Sequence, residues 1–190
     1  TVGNAQVSTS VKKFGTGSLY FDGTGDWLAS APNAMYTVNG DFTIECWVYT
    51  TTTSGLQGVA SYSNPSTGWS GWQFSIYNQE VIYENLTGSG GTGTIRTGGA
   101  GGITANTWIH VAVVRQSGTV YLYVNGVSLA SGSSAGSYTS SGSLLGIGTD
   151  RTKNSSWYSG YIDDFRFTNG LARYPNGTTF TPPTTALPTY

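Results

Sequence analysis

Apolar residues in this chain recur at every second position over short runs, the period of a half-buried strand. Helical spacing is hard to find. In FTIECWVYT, Phe42, Ile44, Cys46 and Val48 fall on one face and Thr43, Glu45, Trp47 and Tyr49 on the other. WIHVAVVRQSGTVYLYVNGV reads as a hairpin: a strand over 108–115, a turn at Gln116-Ser117-Gly118 and a strand over 119–125. WQFSIYNQEVIYE repeats the pattern with a turn at Asn78-Gln79. SLYFDG and LLGIGT predict shorter strands, and a glycine-rich run over 87–102 holds one more at 94–97. Asn-Gly pairs at 39–40, 125–126, 169–170 and 176–177 punctuate the rest. Many strands, glycine-rich turns and no helix predict an all-β sandwich or barrel.

One run carries an oddity. Simple alternation in GYIDDFRFT sets Tyr161, Asp163, Phe165 and Phe167 on one face, and Ile162, Asp164, Arg166 and Thr168 on the other. That places a carboxylate among three aromatics, which is costly unless something compensates it.

Composition narrows the class. The 190 residues suit one domain. Only 9% are charged, yet the chain is rich in aromatic and β-branched residues, so low charge here does not mean disorder. The net charge of -1 offers no basic patch, which argues against a nucleic-acid partner. No apolar run is long enough for a membrane-spanning helix, so membrane insertion is not expected. The single cysteine, Cys46, excludes an internal disulfide. The proline-rich end, FTPPTTALPTY, cannot join a central ladder. We expect a sandwich over 1–180 and, over 181–190, an exit segment towards neighbouring domains of a larger protein, or else a simple tail.

Four phrases occur in an order that resembles a known family: SLYFDGTGDWL, DFTIECWVY, WIHVAVVRQSGTVYLYVNGV and GYIDDFRFTNGLARYPNGTTFTPPTTALP. Together they resemble a laminin-G-like, concanavalin A-like domain, of the type found in bacteriophage tail and virion-associated proteins. The resemblance implies a jelly roll of two curved antiparallel sheets. It also implies a virion or extracellular location, binding or structural duty often directed at carbohydrate, and sometimes a calcium ion. The aspartate of the IDD phrase matches a cation-ligand position, so the resemblance makes Asp163 the first candidate for calcium. The FDGTGDW loop could add Asp22, Asp26 or nearby carbonyls. Asp163 could equally accept backbone N–H bonds or pair with Arg166 or Arg173.

Sugar sites pair aromatic faces with polar side chains. Trp69, in the polar loop SNPSTGWSGW, reads as a stacking platform or as a plug on the sandwich rim. Trp157 and Tyr158 form a second loop candidate, with one of the two expected in the core. Tyr49, with Glu45 and Trp47, and Tyr121, Tyr123 and Asn125 on the 119–125 strand, would line a groove if their faces border the concave sheet.

Catalytic chemistry finds little support. Retaining glycosidases hold two carboxylates about 5–5.5 Å apart and inverting ones roughly 6.5–9.5 Å. Glu80 and Glu84 share a strand face about 13 Å apart, and Glu45 has no acidic strand-mate. The lone histidine, His110, reads as structural, and no nucleophile elbow, zinc spacing or phosphate loop occurs. The expectation is a non-catalytic module that adheres to a glycan on a host or cell surface. The alternatives are a structural spacer of a virion and, last, a glycan-cleaving enzyme.

Overall fold

In the computed structural model, which describes residues 1–66, 70–87, 92–99, 101–134 and 142–188, the described chain folds as two antiparallel sheets. The strands are β1 Gln6–Ser8, β2 Ser18–Asp22, β3 Leu28–Ala29, β4 Phe42–Thr50, β5 Leu56–Ser63, β6 Ser70–Tyr77 and β7 Glu80–Thr87. They continue as β8 Thr92–Arg96, β9 Ile109–Gln116, β10 Thr119–Val124, β11 Val127–Ser133, β12 Leu144–Ile147 and β13 Ser159–Asn169. One sheet has the order β1-β2-β13-β4-β9-β10-β11 and the other β3-β12-β5-β6-β7-β8. Among the described residues the helical content is two short 3-10 turns, Ala34–Tyr36 and Pro175–Gly177.

Turn chemistry sets the hairpins. Asn78 and Gln79 (φ 47° and 73°), Ser117 and Gly118 (48° and 87°), and Asn125 and Gly126 (47° and 80°) all lie in the left-handed region. Two such residues in a two-residue loop match the right-handed twist of the strands they join. Between the sheets lies one apolar core, in which Phe21, Phe42, Ile44, Trp72, Phe74 and Leu122 are fully buried. Trp72 stacks on Phe167 (5.8 Å, 5°) and donates its indole N–H to the Tyr36 carbonyl at 2.9 Å, so its polar atom is satisfied.

Alternation predicts the wrong phase for the second half of β13. Asp163 pairs with Trp47, but the next pairing is Arg166 with Glu45, so Asp164 and Phe165 together face one residue of β4. This is a β-bulge. Asp164 takes φ 52°, a left-handed conformation that aspartate tolerates better than most residues. The extra residue flips the side-chain phase. Before it, Tyr161 and Asp163 point outward and Ile162 inward. After it, Phe165 and Phe167 pack on the core while Arg166 points outward. Asp163 therefore does not share a face with Phe165 and Phe167. Its Oδ2 accepts the backbone N–H groups of Lys13 (2.8 Å) and Phe14 (3.1 Å), and its Oδ1 that of Asp164 (2.8 Å).

The outer face of β4 and β9 is roofed over. Glu45 is fully buried there. Its Oε1 accepts Arg166 Nε (2.9 Å) and Nη2 (2.6 Å), and its Oε2 accepts Tyr174 Oη (2.7 Å) and lies 3.2 Å from His110 Nε2. Burial alone would raise its pKa. Hydrogen bonds from His110, Tyr174 and Arg166, with the guanidinium charge, outweigh that and hold the carboxyl below its ordinary value. Tyr174 stacks on Phe180 at 3.5 Å, and both cover Ala112, Val114 and Tyr123. The segment passes so close to the β10–β11 turn that a Cβ on Gly126 would lie 1.9 Å from the Phe180 carbonyl oxygen. Further on, the Leu187 N–H bonds Asp164 at 2.8 Å. Residues 171–188 thus run back across the sheet, and the groove expected at Glu45 and Tyr123 is filled by the chain itself.

On the other sheet, residues 148–158 fold over the outer face of β5. Buried Lys153 donates to the Ser61 hydroxyl, to Ser63 Oγ (3.1 Å) and to the carbonyls of Ser61 and Asp150 (3.3 Å each). Burial pulls its pKa down to about 7, against the partial opposition of the Asp150 charge.

Four outcomes follow from these contacts. Asp163→Ala strands three N–H groups, so urea denaturation should show a loss of about 1–3 kcal/mol, the same with calcium as with EDTA. Arg166→Ala leaves a buried carboxylate short of its cation and should cost about 3 kcal/mol. The Glu45 contribution is complete above its unfolded pKa near 4.5 and should vanish as pH falls through the lower folded value. Lys153 has a slope of the same sign in a higher window: between about 7 and 10.5 the unfolded chain binds the extra proton. Stability should therefore rise from pH 7 to 9 by up to about 1.4 kcal/mol per unit from this group, and Lys153→Met should flatten the rise.

Candidate functional site

The part of the seven-stranded sheet that the C-terminal segment leaves uncovered presents a row of aromatic rings. Its origin is register. Tyr161 of β13 lies directly opposite Tyr20 of β2 on one side and Tyr49 of β4 on the other. Trp108, just before β9, continues the line. Ring centroids are 5.0 Å apart for Tyr20–Tyr161, 5.6 Å for Tyr161–Tyr49 and 5.5 Å for Tyr49–Trp108. All four rings are half-buried. They cross four strands, roughly 14 Å at about 4.8 Å per strand, the length of a short oligosaccharide. Gly160 lets β13 approach β4 closely here: it has φ 136°, and a Cβ would lie 2.1 Å from the Tyr49 carbonyl oxygen.

Polar groups flank the row on both sides. Two residue pairs further along, on the same face, exposed Asp22 pairs with Ser159, whose Oγ lies 2.7 Å from Thr51 Oγ1. These hydroxyls are fixed from beneath: the Ser159 N–H bonds the buried Gln57 side chain (3.1 Å) and the Thr51 N–H bonds the Ser159 carbonyl (2.9 Å). On the other side stands a wall. Lys13 Nζ sits 3.8 Å from the Trp47 ring centroid, a cation–π contact, and Phe14 meets Trp47 edge-on at 6.0 Å. The hairpin that carries Lys13 and Phe14 is pinned by Asp163, so that carboxylate shapes the wall rather than facing a ligand. Ring faces between hydroxyls, a carboxylate and an ammonium are the groups that sugars engage.

The expected site residues divide. Tyr49 lies in the row. Asp22 lies on its rim. Trp69 falls outside the described residues. Trp157 is half-buried in the loop before β13. Tyr158 is fully buried and meets Phe21 edge-on at 6.2 Å, which removes it from any binding surface. As calcium ligands Asp22 and Asp163 do not fit together. Asp22 is opposite Ser159, four residues from Asp163 along β13 and thus about 13 Å away, and both Asp163 oxygens already accept N–H groups. Asp26 is also engaged, accepting the N–H groups of Asn4 and Asp22. Among the described residues no group of three His, Cys, Asp or Glu side chains converges.

The other reactive groups singled out in the sequence lie apart from one another. His110 is buried under Phe180, its ring 5.7 Å from that ring. Glu80 and Glu84 each pair with a different arginine, Arg96 at 2.7 Å and Arg151 at 3.6 Å. Cys46 is in the core, and burial raises its thiol pKa far above the ordinary value. Sequence reasoning missed Tyr20, Tyr161 and Trp108. The available signal was their alternation parity within each strand; which strand lay beside which was not readable.

Comparison with known proteins agrees with this architecture. The family model for the concanavalin A-like lectin/glucanases superfamily matches residues 15–172. No curated protein matches the chain. Among solved structures, the Ruminococcus gnavus IT-sialidase CBM40 bound to alpha2,3 sialyllactose superposes with TM-score 0.61 at 15% identity, over 77% of this chain and 92% of that one. The binding domain of Paraclostridial Mosquitocidal Protein 1 gives 0.66 at 17% identity, over 88% of this chain and 43% of that one. The botulinum neurotoxin serotype G binding domain gives 0.62 at 17%, over 91% and 44%. At such identities the likeness is one of fold. With the family model spanning most of the sandwich, the chain belongs to the concanavalin A-like lectin/glucanase superfamily.

Proposed function

We propose that this domain is a non-catalytic glycan-binding module, carried by a phage tail or another surface-exposed protein, that adheres to a host or cell-surface glycan. The observation that carries the reading is the aligned row Tyr20–Tyr161–Tyr49–Trp108 on a sheet face whose Glu45–Tyr123 region is roofed by the chain's own C-terminal segment. A core gains nothing from half-exposed rings at one register level, whereas a saccharide chain laid across the strands meets one ring per strand. Asp22, Ser159 and Thr51 accept from or donate to its hydroxyls along one edge. Two of the superposed structures are binding domains by description and a third is a carbohydrate-bound module, which supports the same kind of role. The carboxylates are committed to ion pairs or backbone N–H groups rather than paired across a cleft, which supports binding without hydrolysis.

A glycan array of bacterial and animal surface oligosaccharides tests this. The wild-type domain should bind a defined subset, and Tyr161→Ala, which removes one of the two inner rings of the row, should weaken that binding about tenfold or more, equivalent to about 1.4 kcal/mol. Its circular dichroism should remain that of the wild type. Silence across the array from folded protein, or unchanged binding by Tyr161→Ala and Tyr49→Ala, would overturn the reading.

A further inference from the structure

The second sheet carries a different site. On its outer face lies a cleft of about 200 Å³, floored by Tyr77 and Ile82 and bordered by Glu84, Arg96 and Arg151. Its charged groups are built in place from below. The fully buried Gln73 donates through Nε2 to Glu84 Oε2 (3.1 Å), and its Oε1 accepts the backbone N–H of Arg151 (2.8 Å). One buried amide thus fixes both the carboxylate and the loop that brings Arg151, and Lys153 clamps the same loop two residues later. Arg151 Nη1 stands 3.6 Å from Glu84 Oε2. Opposite, Arg96 lies 5.1 Å over the Tyr77 ring and gives Glu80 its Nε at 2.7 Å, while a guanidinium has five N–H donors.

We propose that this cleft binds an acidic sugar unit, a uronate-type monosaccharide residue of a charged polysaccharide. Glu80 and Glu84 balance the two guanidinium charges, but Arg96 gives Glu80 only its Nε, so its terminal N–H groups remain to face a ligand carboxylate at the cleft border. Planar guanidinium forks match a carboxylate. Glu84 accepts from a ring hydroxyl, and Tyr77 and Ile82 offer an apolar floor to the sugar ring. Phosphate would satisfy the arginines but has no use for that floor. The proposal extends the glycan-binding reading to the opposite sheet, yet rests on separate residues, so the two can fail independently.

The test is an amide NMR titration of the whole chain with sodium glucuronate, glucose and inorganic phosphate in turn. Glucuronate should give saturable shifts centred on Tyr77, Ile82, Glu84 and Arg96, with glucose and phosphate at least tenfold weaker. Arg96→Ala, an exposed position, should abolish the glucuronate shifts, Arg96→Lys should restore them in part, and Tyr161→Ala should leave them intact. Equal responses to glucuronate and glucose, or to glucuronate and phosphate, would overturn the proposal. So would shifts that survive Arg96→Ala, or no shifts at all.

Discussion

The bulge in β13 is the constraint on which the rest of the seven-stranded sheet depends. That strand lies between β2 and β4, so its side-chain phase decides what each face of the sheet carries. A single extra residue lets its first half send Tyr161 outward, between Tyr20 and Tyr49, while its second half sends Phe165 and Phe167 inward and Arg166 outward to Glu45. Without it, strict alternation would drive Phe165 and Phe167 into the polar layer around Glu45 and turn Arg166 into the core. The cost is a left-handed Asp164, offset by the Leu187 and Asp163 contacts that hold that corner.

The bulge also divides the sheet's outer surface into two zones of opposite use. On one side, Glu45 gathers Arg166, His110 and Tyr174 into a buried polar layer that Phe180 seals. A buried carboxylate with this many donors is tolerable because each lone pair has a partner. On the other side nothing in the described chain roofs the rings of Tyr20, Tyr161, Tyr49 and Trp108. The proposed binding surface and the roofed structural surface share one sheet, and the C-terminal segment draws the line between them.

Much of the architecture was legible in the sequence, for physical reasons that also mark where legibility ends. Phe42, Ile44, Cys46 and Val48 sit in the core as alternation requires, and left-handed pairs such as Asn78-Gln79 fix hairpins as their chemistry requires. Strand β5 escaped notice because LQGVASYS is buried on both faces by small residues: Ser61 and Ser63 bond the 149–153 loop instead of facing water. Strand β11 escaped because an edge strand leaves Val127 and Leu129 exposed. The phase error after Asp163 came from a bulge that two adjacent aspartates signal only weakly. Tyr49 was legible as a candidate because its parity is a local property. The row it belongs to was not, since four rings aligned across strands far apart in sequence require a pairing order that no single strand encodes. The carboxylate puzzle at Asp163 resolved through the Lys13 and Phe14 amides, which are 150 and 149 residues away.

If the proposed function holds, ligand lies across the aromatic row of the seven-stranded sheet. The most direct measurement is a crystal structure of the domain with an oligosaccharide it binds. Sugar rings should lie against Tyr20, Tyr161, Tyr49 and Trp108, running across the strands, with hydroxyls on Asp22, Ser159 or Thr51. A neutral oligosaccharide seated elsewhere, with that row bare, would contradict it.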